Sequence, residues 1–189
     1  MKFKFSLLIL IALSIHVCGQ SKNQVSVLYG ISTTSVDIHG AIGDYGYSSR
    51  SGTLLGFTYT RNLAGPFSLE TGLLFANDKI QLNSDLPGIY QGSHFGEVKI
   101  VSIPVYAKFT FLKHLYADGG LLYDNETSDP NNSVVGDQTG LGAELGIGGK
   151  YSFGPVTLFV NPYWHAYNIT RTQNNLVEIG VKFGLGYNF

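Results

Sequence analysis

The chain has 189 residues, a net charge of −1 and only 13% charged residues, with 24 glycines, 12 tyrosines and 12 phenylalanines. This length accommodates one domain with a sizeable core, and the near-neutral balance removes the electrostatic case for nucleic acid. About half the usual charge and nearly twice the usual glycine make a poor soluble surface but suit β-structure with close backbone approach and an aromatic exterior.

The N-terminus reads as a secretory signal over residues 1–19. Lys2 and Lys4 precede a short apolar run, Leu7 to Ile15, and the expected cut follows Gly19. The run is too short for a membrane span. Cys18, the only cysteine, is expected to leave with this segment. Val17 argues against the alternative of a lipid-modified Cys18. The mature chain, 20–189, then has no thiol for a disulfide, metal site or nucleophile. No later stretch approaches 18 consecutive apolar residues, so no transmembrane helix is expected.

Eight segments with two-residue alternation follow. The first, 24–35, carries Val25, Val27, Tyr29 and Ile31 on one face, and the second, 52–61, carries Leu55, Phe57 and Tyr59. The third, 66–77, has Phe67, Leu69, Leu73 and Phe75, and the fourth, 97–112, has Val101 to Phe111 at every second position. The fifth, 115–124, has Leu115, Ala117, Leu121 and Tyr123, and the sixth, 139–153, has Leu141, Ala143, Leu145 and Ile147. The seventh, 155–169, has Val156, Leu158, Val160 and Trp164; the eighth alternates from Val177 to Phe189.

The opposite faces are small, polar or charged, among them Ser26, Gly30, Thr58, Gly72, Gly120, Gly146 and Asn161. They carry too little charge for a solvent coat. Turned inside out, the pattern makes sense: the apolar rows face lipid and the small and polar residues fill a narrow lumen. The connections alternate in length. Those near Asn62, Leu112 and Phe153 are short, whereas 36–51, 78–96 and 125–138 are long and polar. Short periplasmic turns and long outer loops have this arrangement, and backbone satisfaction in lipid requires closure. The expected fold is one eight-stranded, antiparallel, up-and-down transmembrane β-barrel in the outer membrane. Tyr59, Phe67, Phe75, Phe111, Tyr123, Phe153, Trp164, Tyr187 and Phe189 are placed to form interfacial girdles.

The segments "IPVYAKFTF", "LYADGGLLYD", "TGLGAELGIGGKYSFGPVTLFVNPYWHAYNIT" and "EIGVKFGLGYNF" resemble the small outer-membrane barrels of Bacteroidota, the porin-family or PorT-like proteins, and more distantly the OmpA/OmpX-type barrels. The resemblance implies that the terminal strand, with Phe183, Leu185, Tyr187 and Phe189, is read by the barrel-assembly machinery.

Within the lumen, Glu70, Asp118, Glu144 and Glu178 are expected to meet Lys108, Lys150 and Lys182 in a space-filling ion-pair network, since buried charges need partners. His165 is expected to face inward or toward the rim as a hydrogen-bonding filler. His39, His94 and His114 lack metal-ligand spacing. "GLGAELGIGG" lacks the lysine of a phosphate loop and no helix follows it. No catalytic, metal or cofactor site is expected. The functional reading is a non-enzymatic barrel acting structurally or by surface contact, with outer-membrane lipid, the assembly machinery and an extracellular partner met through loops 36–51, 78–96 and 125–138. A narrow channel and, more remotely, a lipid-modifying enzyme are the alternatives.

Overall fold

Period-two segments that cannot leave backbone groups bare in lipid have one solution, a sheet that closes on itself. The computed structural model describes residues 23–37, 45–84, 93–128, 137–170 and 175–189 and contains no helix among them. The signal segment and parts of the long loops lie outside the described residues. Eight strands run in chain order: β1 Asn23–Asp37, β2 Tyr45–Asn62, β3 Phe67–Ser84, β4 Ser93–Phe111, β5 Leu115–Glu126, β6 Gly140–Phe153, β7 Val156–Ala166 and β8 Asn175–Asn188. Each pairs antiparallel with its sequence neighbours, and β8 returns to β1 to close the barrel. The seam is finished by reciprocal backbone bonds of 2.8 Å between Asn23 and Phe189.

The stagger follows from the pairing. A path through directly paired residues runs Val25, Tyr59, Thr71, Val105, Leu121, Ala143, Ala166, Val177 and back to Ser35, ten residues further along β1. Ten residues of ~3.3 Å over eight spacings of ~4.8 Å tilt the strands by about 40°. Three ladders are interrupted: β2–β3 shifts register between Ser49↔Ile80 and Gly52↔Asp78, and two others skip a step in register. β3–β4 pairing passes from Thr71↔Val105 to Leu74↔Ser102, and β6–β7 pairing from Gly146↔Tyr163 to Gly149↔Val160. Pro104 and Pro162 sit in the gaps, and neither has an N–H to give.

None of the alternating apolar residues named above is buried. Phe57, Phe67, Leu145, Ile179 and Phe189 are between 53% and 63% exposed on the outer wall. The inner wall has Ser26, Thr58, Thr60, Glu70, Asp118, Glu144, Asn161, Glu178 and Lys182, all buried. On β3 the outward row turns polar after Phe75, at Asn77 and Lys79, so the bilayer-spanning part of this strand is 67–76.

Two expectations need correction. The lumen is not polar throughout: Leu28, Leu54, Leu74, Ile100, Leu122 and Leu176 point inward and pack together. An eight-stranded interior is only wide enough to be filled by side chains, and leucines fill the part that charges do not. Loops 36–51 and 78–96 are also shorter than expected. β2 and β3 have 18 residues and β4 has 19, against 11 to 14 for β5 to β8. Pairing among these three strands, from Tyr45↔Ser84 and Asn83↔Ser93 downward, continues the ladder past the apolar belt.

Glycines on the inner wall make room for rings. A Cβ on Gly184 would stand 2.0 Å from the Phe159 ring, and one on Gly148 2.5 Å from the Tyr116 ring. Gly184→Leu should therefore destabilise the barrel by about 1–3 kcal/mol through overpacking. Gly149→Ala, whose Cβ meets nothing closer than 3.9 Å, should be near neutral. Denaturant titration of the refolded protein in micelles, with gel mobility before and after boiling, separates the two.

Candidate functional site

The lumen is a stack of polar groups from all parts of the chain. Near the short turns, Lys108 pairs with Glu70, and the Thr60 hydroxyl donates to the same carboxylate at 2.6 Å. Asp118 lies 4.0 Å from Lys108 and accepts from the Asn161 amide at 2.9 Å. Tyr116 and Phe159 present their rings to the Lys108 ammonium at 5.0 and 5.6 Å. A space of about 30 Å³ bounded partly by Glu70, Lys108 and Tyr116 has room for about a water molecule.

At mid-height Lys182 donates to Glu144 at 2.5 Å, with both side chains buried. The Tyr163 and Tyr106 rings stand 4.1 and 5.4 Å from its ammonium. This pair joins β6 and β8, the two neighbours of β7, so it bridges past one strand on the inner wall.

Toward the long loops the character changes. Glu178 accepts from the Tyr163 hydroxyl at 2.5 Å and from the Tyr167 hydroxyl. His165 places Nε2 3.4 Å from Asp124 and Nδ1 4.0 Å from Glu178. Asp124 accepts from Ser102 at 2.6 Å, and Asp78 from Thr34 at 3.0 Å.

All seven charged residues expected in the lumen are on the inner wall, but not all in the expected pairs. Lys150 donates to the Thr110 hydroxyl at 2.9 Å rather than to an acid, because it projects toward the mouth at the turn end. Glu178 is held by tyrosines and the imidazole rather than by a lysine. Asp78 and Asp124 were absent from the expected network, although each has the inward parity of its strand, Asp78 with Glu70 and Asp124 with Asp118. His165 does face inward. Phe183, Leu185, Tyr187 and Phe189 all lie on the outer face of β8, 49% to 60% exposed. Among the described residues no group of acids, histidines or cysteines is arranged to hold a metal ion.

The Lys182–Glu144 pair makes a sharp test. Lys182→Met should cost about 3–5 kcal/mol, because it leaves a buried carboxylate without its cation. The double variant Lys182→Met/Glu144→Gln should recover most of that loss. Equilibrium unfolding in micelles measures both, and equal losses in the single and double variants would show that the pair does not couple.

A family model described as outer membrane protein beta-barrel domain matches residues 5–189. No curated protein matches the chain. Among solved structures, the outer membrane protein OprG from Pseudomonas aeruginosa superposes with a TM-score of 0.56 at 18% identity, covering 90% of this chain and 98% of its own. Neisserial surface protein A (NspA) gives 0.58 at 16% identity, covering 88% and 97%. The outer membrane protein AlkL in lipid bilayers gives 0.55 at 13% identity, covering 92% and 93%. At these identities the likeness shows the fold alone.

Proposed function

This chain belongs to the outer membrane protein beta-barrel domain family, and on that premise we propose that it is a closed, non-enzymatic barrel that works through its outer surface. The unequal strand lengths carry this reading. Among the described residues β2 pairs with β1 no further out than Ser51, and β4 with β5 no further out than Ile100. Lys99 is still bonded by Thr127 and Ser128; beyond it, among the described residues, β2, β3 and β4 pair only with one another, as a three-stranded sheet whose edge strands have no further described neighbour. Such edges offer backbone donors and acceptors to an extended partner segment. The loops at 36–51, 78–96 and 125–138 are the other surface offered to an extracellular partner.

The filled lumen weighs against a channel, since ion pairs and leucines occupy the space that solute would need. A lipid-modifying enzyme has less support still. Ser102 donates to Asp124, and among the described residues no serine hydroxyl is bonded to His165 in the nucleophile–base pairing that a serine nucleophile uses; all three groups are buried. Cleavage of residues 1–19, delivery by the assembly machinery and kinship with the PorT-like barrels of Bacteroidota complete the reading, on the motifs given above.

In planar lipid bilayers the purified protein should give no steady conductance; stable, reproducible current steps would favour the narrow channel instead. Deletion of Phe189 removes both backbone bonds that finish the β1–β8 seam and the last outward aromatic. The fraction of outer-membrane protein that shifts on boiling should fall several-fold, while synthesis is unchanged.

A further inference from the structure

The lumen carboxylates are unequally compensated. Glu70, Asp118 and Glu144 have Lys108 and Lys182 within their layers. Asp78, Asp124 and Glu178, toward the loops, share a single basic group among the described residues, His165. The three acids are 0% exposed and the imidazole 2%. His165 lies between Asp124 and Glu178, and on the Asp78 carboxyl its influence is the smallest of those acting there. Glu178 also has a tyrosine hydroxyl on each oxygen.

Asp78 is left over. Its Oδ1 accepts from Thr34, and its Oδ2 is buried with no hydrogen-bond partner. The described residues of the walls around it can be taken strand by strand. At this level β1 presents Thr34, β2 Gly52, β4 Val98 and Ile100, and β6 Gly140 and Gly142. β5 presents Asp124 and Glu126, β7 His165 and Tyr167, and β8 Glu178. Among the described side chains at this level there is no lysine or arginine. Gly52 makes the site possible, since a Cβ there would stand 1.8 Å from Asp78 Oδ1. An ionised carboxylate held there, half-satisfied and opposite Glu178, is the arrangement that buried charge does not tolerate.

We propose that Asp78 is a proton-binding site that closes the loop end of the barrel when occupied and loosens β3 against the β7–β8 wall when emptied. Asp78 stands beyond the bilayer-spanning part of β3. Burial, and then the Glu178 charge, push its carboxyl up to about 7. An unfolded aspartate titrates near about 4. A proton bound more tightly by the folded state contributes stability that is full below about pH 4 and is lost as pH rises toward about 7. The device thus tightens in mild acid and relaxes above neutrality.

Asparagine imitates the protonated carboxyl at every pH. The full chain refolded in micelles should therefore show a melting difference between Asp78→Asn and the parent that is near zero at about pH 4 and grows to several degrees, in favour of the variant, above about pH 7. A difference independent of pH would overturn the proposal. Infrared spectroscopy of the parent protein tests it without relying on a variant's fold. At about pH 6, where ordinary carboxyls are ionised, a protonated-carboxyl C=O band should be present, and it should vanish by about pH 9. The band should be absent in Asp78→Asn and retained in Asp124→Asn. Its absence from the parent at about pH 6, or its loss with Asp124 rather than Asp78, would sink the assignment.

Discussion

The return of β8 to β1 is the constraint on which the rest of the molecule depends. In lipid an open sheet edge leaves backbone groups without partners, so the chain must close, and eight strands with a ten-residue stagger set how tightly. The resulting interior is narrow enough for side chains to fill. Residues far apart in sequence are pressed together within it, as when Lys182 on β8 reaches Glu144 on β6. Glycine is the counterpart of this crowding: Gly148 and Gly184 lie under the rings of Tyr116 and Phe159, where any side chain would collide.

Within that closed tube the chain solves the burial of charge in two ways. Toward the turns and at mid-height, lysines meet carboxylates directly, with aromatic rings beside the ammonium groups. Toward the loops, among the described residues, one imidazole stands among the fully buried acids Asp78, Asp124 and Glu178, and tyrosine, serine and threonine hydroxyls donate to them. The first half is a plug whose stability depends on intact pairs. The second has fully buried acids without matching lysines among the described residues, next to the projecting part of β2, β3 and β4.

Much of this was legible in the chain. Two-residue alternation is a local property, and it separated the lipid-facing row from the inner row correctly on all eight strands, from Val25 to Phe189. Strand ends were less legible. Tyr45 to Ser51 and Lys79 to Ser84 have the polar composition of a loop, and only pairing with each other and with β4 keeps them extended. The inward leucines were hidden for another reason. Leu54 beside Leu55, and Leu74 beside Leu73, make continuous apolar runs in which alternation fades.

By itself, then, the sequence determined how many strands there are, which face of each meets lipid, and which acids and lysines turn inward, because side-chain parity is set by the pleat of a single strand. Which of those groups meet was decided only by the tertiary structure. The stagger of the closed barrel places Glu178 beside Tyr163, Tyr167 and His165 rather than a lysine, and leaves one oxygen of Asp78 without a hydrogen-bond partner. Registers accumulate around a ring of eight strands, and no local pattern in the chain records their sum.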